Sequence, residues 1–124
     1  MAADLPPDRL EPVARDNLGA LVAESQAIDL LGLRSTLRAV AGAGPGPEAS
    51  VGKLLAAEHE QRIQEYGLRL QSGEGATTEG VAAEWAFGFL ANRSLTIAGG
   101  TSEIQRKVIG ERLLGLPRDP EPKR

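Results

Sequence analysis

From about Pro7 to Val40 the chain sets Leu10, Val13, Ala14, Leu18, Leu21, Val22, Ile28, Leu31 and Leu37 mostly three and four residues apart. That spacing lines apolar side chains along one side of a helix, whereas a strand would need them at every second residue. Asp4 or Pro6–Pro7 would start this helix, since proline is tolerated in a first turn. Gly19 and Gly32 weaken it slightly without breaking it. A breaker loop, AGAGPGPEAS (41–50), follows.

Three further segments repeat the pattern. The second runs from about Pro47 to Gln71, with Val51, Leu54, Leu55, Ile63, Tyr66 and Leu70 on its inner face, and SGEGATTEG ends it. The third runs from about Glu79 to Leu95 around Val81, Trp85, Phe89 and Leu90. The last spans about Thr101 to Leu114, with Ile104, Val108, Ile109 and Leu113 turned inward. Gly115 is placed as a left-handed C-cap there, and Pro117 cannot continue the helix. Aromatic residues make up only 3% of the chain, so the core has to be built from Leu, Ile, Val and Ala, which suits close helix packing. The expected fold is all-α: one domain over residues 1–124, an up-and-down bundle of about four helices.

Charge and composition exclude several classes. The formal net charge is -3 and the 14 basic residues form no stripe, which argues against nucleic acid. Without cysteine there is no disulfide framework and no thiolate metal site. MAADLPPDRLEP lacks a basic-then-apolar signal, and no apolar run reaches the length of a membrane span, so a cytoplasmic protein is expected. His59, the single histidine, lies mid-helix among Glu58, Glu60 and Gln61, where a solvated or interface residue is expected. No second histidine stands at helical spacing to make a metal site. Arg93, Arg106 and Arg112 are expected in surface pairs, and Glu103 with Lys107 as an i,i+4 pair. Trp85, Phe87 and Phe89 span both faces of one helix, so some of that surface should meet another chain.

The segment LTIAGGTSEIQRKVIGERLLGLPR (95–118) carries the chemistry. Thr101 and Ser102 are good helix starters, and Glu103 is an acid in the first turn, where the helix dipole favours it. A capped helix after a Gly–Gly turn accounts for this pattern by itself. The same residues also suit an anion: Gly99 and Gly100 remove two side chains where helix N–H groups point outward, and the hydroxyls add neutral donors.

AGGTSEIQRKVIGERLLGLPR closely resembles the C-terminal signature of acyl-CoA dehydrogenases, with its GTSEIQR core and terminal GLPR. Upstream, EASVGKLLAAEHEQRIQEYGLRL is similar to the family's Ser–x–x–Lys–Leu helix, and ANRSLTIAGGT to its approach to the active site. The likeness is strong from about Val51 and looser before it. It implies part of an FAD enzyme that removes two hydrogens from the α and β carbons of an acyl-CoA thioester, passing electrons to an electron-transferring flavoprotein. It also implies that Thr101, Ser102 and Glu103 lie against the FAD phosphates and ribitol, and that Gly99 and Gly100 approach the substrate's thioester carbonyl. Many relatives carry glutamine where this chain has Glu103, whose carboxylate would have to turn toward sugar hydroxyls.

Two departures follow from the same resemblance. The family's commonest base, a glutamate just before the Gly–Thr pair, is replaced here by Gly99, so no catalytic residue is assigned. The family's N-terminal helical domain, its flavin-holding β domain and the first helix of its C-terminal bundle find no match, nor does its Gln–x–x–Gly–Gly element, in whose region TTEGVAAEWAFG stands. The chain is therefore expected to be inactive alone, as an excised domain or a subunit completing a site on others. Self-association, most simply as a symmetric dimer, is expected too. The alternative is a helical interaction module descended from that domain, without flavin or substrate binding.

Overall fold

The computed structural model describes residues 12–44, 46–71, 77, 79–80 and 82–118. They form an all-α helical bundle. Helix α1 is Pro12–Val40, α2 Glu48–Leu70, α3 Ala83–Ala91 and α4 Ser102–Val108. A 3₁₀ turn, Asn92–Thr96, continues α3, and a π-helical turn, Ile109–Leu113, continues α4. The expected helix starts at Asp4 or Pro6–Pro7, with Leu10, lie outside the described residues, as does Val81. The third helix is shorter than its periodicity suggested. It begins at Ala83 rather than near Glu79, and tightens to 3₁₀ geometry where the Ser94 and Thr96 hydroxyls donate to the Ala91 and Arg93 carbonyls three residues before them. Gly115 does take a left-handed φ of +69°, and the Leu116 N–H returns to the Gly110 carbonyl at 2.9 Å.

Helix α2 is the hub, packing against α1, α3, α4 and both irregular turns. Helix α3 comes right against its backbone. Gly67 is buried, and a methyl group built on it would stand 2.0 Å from Trp85 Cε3, so the indole lies directly on the α2 backbone. Tyr66 donates its hydroxyl proton to the Ala14 carbonyl and pins the start of α1. Farther along, Glu24 of α1 accepts from Arg62 Nη2 at 2.9 Å and sits 2.8 Å from His59 Nδ1. His59 is thus a buried residue, 7% exposed, and not the solvated one its acidic neighbours suggested. The α1–α2 pairing places it on the inner side, where Glu24 supplies its partner.

The apolar stripes are only half covered. On α1, Ala14, Leu21, Ile28 and Leu31 are partly buried, but Val13, Leu18, Val22 and Leu37 are exposed, contrary to their expected place on the core face. A second stripe runs along α1: Val22, Leu30 (66% exposed), Leu33, Leu37 and Val40 recur at helical spacing on the side turned from α2. Ile104, Leu113 and Leu90 were also expected inward and are exposed, as is Phe87 at 73%. The short α4 and its π turn offer too little length to cover all their apolar positions against one helix. Among the described residues no helix is long and apolar enough to cross a membrane.

Candidate functional site

The polar side of α2 holds the segment that leads into α4. Lys53 and Gln61 stand two helical turns apart on one face with Ala57 between them. Lys53 Nζ donates to the Gly100 carbonyl at 2.7 Å, and Gln61 Nε2 to Thr96 Oγ1 at 3.3 Å. Asn92 Nδ2 reaches the Glu60 carbonyl at 3.2 Å, Arg93 pairs with Glu65 at 2.8 Å and covers the Phe89 ring at 4.3 Å, and Arg106 pairs with Glu58. The run EHEQRIQE therefore seats residues 92–106 and is no merely solvated face.

Within that seat the Gly–Gly turn is strongly shaped. Gly99 has φ +69° and Gly100 φ +99°, backbone conformations that L side chains adopt only with strain. Gln105, 7% exposed, folds back from α4 and donates Nε2 to the Gly99 carbonyl at 2.8 Å, with the Gly100 carbonyl at 3.4 Å. Both carbonyls are thus consumed on the protein side. Among the described residues no acceptor takes the N–H groups of Gly99, Gly100, Thr101 or Ser102. Four successive donors stand at one turn with their hydrogen-bonding capacity unspent, and Gly99 borders open space.

Thr101 is the N-cap of α4, as expected. Its φ and ψ are extended (-63°, 164°), and its Oγ1 accepts the Ile104 N–H at 3.3 Å. Glu103 is held in the ionised form. Its own backbone N–H, then the Thr101 hydroxyl and the Arg106 charge lower its carboxyl below the usual range. The anticipated Glu103–Lys107 pair is not formed; Lys107 pairs with Glu111 at 3.7 Å, because the first-turn N–H and Thr101 claim Glu103 instead. At the far end of the bundle Glu48 is lowered in the same way, by its own N–H and by Arg38. Beside the α4 start lies a cleft of about 340 Å³, lined by Glu58, Gln61, Ile97, Ser102, Glu103 and Arg106 among others.

A pH dependence follows. Glu103 and Glu48 have folded values below 4.5, so their stabilisation is present above the unfolded carboxylate range and is lost as pH falls through the lowered folded values. Thermal unfolding followed from neutral pH into that range should show a smaller acid-induced fall in Tm for Glu103→Gln than for the native chain. Superimposable profiles would disprove the cap arrangement.

The model of the family described as "Acyl-CoA dehydrogenase, C-terminal domain" matches residues 10–114. The chain belongs to the acyl-CoA dehydrogenase family. It is 41% identical over 109 residues to acyl-CoA dehydrogenase FadE34 of Mycobacterium tuberculosis, covering 88% of this chain and 15% of that protein. It is 43% identical over 76 residues to acyl-CoA dehydrogenase IpdE1 of Mycolicibacterium smegmatis, covering 60% of this chain and 19% of the relative. With IpdE1 of M. tuberculosis it shares 38% identity over 86 residues, covering 68% of this chain and 22% of the relative. The chain thus spans less than a quarter of the length of these relatives. No solved structure matches it. In this acyl-CoA dehydrogenase domain Gly99, Gly100, Thr101, Ser102 and Glu103 form one continuous turn and helix start, as their adjacency requires. Lys53, Gln61 and Gln105 hydrogen-bond to the segment that leads into α4, and none was singled out in the sequence. Gln105 lies inside the GTSEIQR motif, and only its spacing from Gly99 across one helical turn hinted that it could reach back.

Proposed function

We propose that this domain supplies the flavin-contacting edge of an acyl-CoA dehydrogenase, a family that uses FAD to remove hydrogen from the α and β carbons of acyl-CoA thioesters. Family membership supports this reading, and the row of N–H groups at Gly99–Ser102 with no intramolecular acceptor carries it. Such a row suits phosphate oxygens, which accept from several backbone donors at once. Ser102 adds its hydroxyl. The Thr101 hydroxyl serves its own helix cap, so Thr101 contributes mainly through its N–H. Glu103, ionised, repels phosphate and faces sugar hydroxyls instead. FAD, when bound, would supply the hydride acceptor. At the Gly99 end of the row the N–H would instead meet the thioester carbonyl, where it would stabilise enolate-like charge as the α proton leaves. Gly99 has no side chain to take that proton, so the base belongs to another part of the enzyme.

The exposed stripe on α1 and the Phe87–Leu90 surface are the faces offered to other parts of the assembly, including further copies of the chain. An electron-transferring flavoprotein is the expected electron acceptor, and the cytoplasm the expected compartment. The 124-residue chain purified alone should show no flavin absorbance and no turnover with acyl-CoAs. Joined to the flavin-holding parts of an acyl-CoA dehydrogenase, it should restore both. Stoichiometric FAD in the isolated chain, or full flavin binding by those parts without it, would overturn the proposal.

A further inference from the structure

Lys53 is the least expected participant in the turn. It lies on α2, 47 residues before Gly100, and drives a half-buried ammonium onto a backbone carbonyl. Among the described residues no carboxylate pairs with it. Burying part of a cation without a counter-ion is unfavourable, and a neutral donor would have served the carbonyl as well. The second participant, Gln105, is one of three buried polar residues among the described residues and spends its amide on the same turn.

Peptide geometry gives these two contacts a consequence on the opposite side. A trans peptide points its C=O and N–H in opposite directions, and none of the described peptide bonds is cis. With the Gly99 carbonyl drawn to Gln105, the Gly100 N–H faces away from it. With the Gly100 carbonyl drawn to Lys53, the Thr101 N–H faces away from α2. Glycine at both positions leaves these planes free to rotate, so something must hold them. A cation on the carbonyl also polarises that peptide and strengthens its N–H as a donor.

We infer that Lys53 and Gln105 are positioning residues: they lock the two peptide planes of the Gly99–Gly100 turn with the Gly100 and Thr101 N–H groups outward. The Lys53 charge further tunes those donors for an anion of the phosphate class. The inference rests on the reading that this turn meets the flavin's phosphates, and names the residues that prepare it. It also explains why the ammonium lacks a carboxylate: a paired lysine would present no net charge to the anion.

The test uses the 124-residue chain labelled with ¹³C and ¹⁵N, with inorganic pyrophosphate as the probe. Lys53→Met should move the Gly100 carbonyl carbon and the Thr101 amide resonance, and weaken pyrophosphate binding at Gly100–Ser102 by roughly tenfold, the scale set by losing one nearby charge. Lys53→Arg keeps a charged donor and should restore the resonances and bring binding within about twofold of native. Gln105→Leu, which leaves Lys53 in place, should move the Gly99 carbonyl first and serves if Lys53→Met fails to fold. Native resonances in both Lys53→Met and Gln105→Leu would overturn the lock. Equal weakening by Met and Arg would reduce Lys53 to a packing role and overturn its tuning of the anion site. If pyrophosphate shifts none of these amides in the native chain, the phosphate reading itself fails and the tuning falls with it. If pyrophosphate binds while the carbonyls ignore Lys53, the inference alone fails.

Discussion

Gly67→Ala is expected to lower Tm by roughly 10 °C, although alanine is ordinarily the better helix former. Replacing a mid-helix glycine with alanine contributes about 0.5–1 kcal/mol in open surroundings. Here the new methyl would lie 2.0 Å from Trp85 Cε3 and 2.2 Å from Cζ3. An indole ring cannot swing aside as a lysine tip can, so α3 must move away from α2. Overpacking of this kind costs about 3 kcal/mol, and the net loss of about 2 kcal/mol corresponds to the stated shift in a domain of this size. Gly32→Ala is the control. Gly32 is also inside a helix, but a methyl there meets nothing within 4 Å, so that variant should gain slightly. Thermal unfolding monitored by circular dichroism and by Trp85 fluorescence separates the two. Equal behaviour of both variants would mean that α3 does not rest on α2 through the indole.

Gly100→Ala should disturb function as well as stability. At φ +99° a side chain costs about 2 kcal/mol in backbone strain. Its Cβ would also stand 2.9 Å from Gln105 Nε2, the group that ties down the turn. The variant should lose Tm by several degrees and, in the complete enzyme, release its FAD during gel filtration. Gly99→Asn is the contrasting change: φ is +69°, which asparagine tolerates, and the added atoms enter open space. It should fold nearly as the native chain does. Retention of native flavin content by Gly100→Ala would show that the turn's geometry is not required.

These glycines illustrate what a linear reading could and could not see. Gly99–Gly100 were legible because a pair before Thr101–Ser102 has few uses other than a turn at a helix start. Gly67 gave no signal in the sequence, because its meaning depends on a tryptophan 18 residues later. The helices themselves were readable from apolar spacing, and Gly115 from its place after the last periodic leucine. Which apolar stripe faces inward was not. Leu21, Ile28 and Leu31 differ from Leu30, Leu33 and Leu37 only by rotation about the same helix, and either set could have met α2. The burial of His59 was hidden for a related reason: its partner, Glu24, sits on another helix and cannot be read from its acidic neighbours. Lys53 was hidden because a lone lysine in an amphipathic helix is usually solvated.

The central position of α2 also bears on how the chain is made. Translation proceeds from α1 toward α4, so the first helix emerges before the one it must pack on. At ordinary elongation rates the thirty residues from Val40 to Leu70 take roughly 1.5–6 s to synthesise. For that interval Leu21, Ile28 and Leu31 lack the cover that α2 will give them. A ribosome-associated chaperone that recognises short leucine-rich stretches would therefore meet its best target before half of the domain exists.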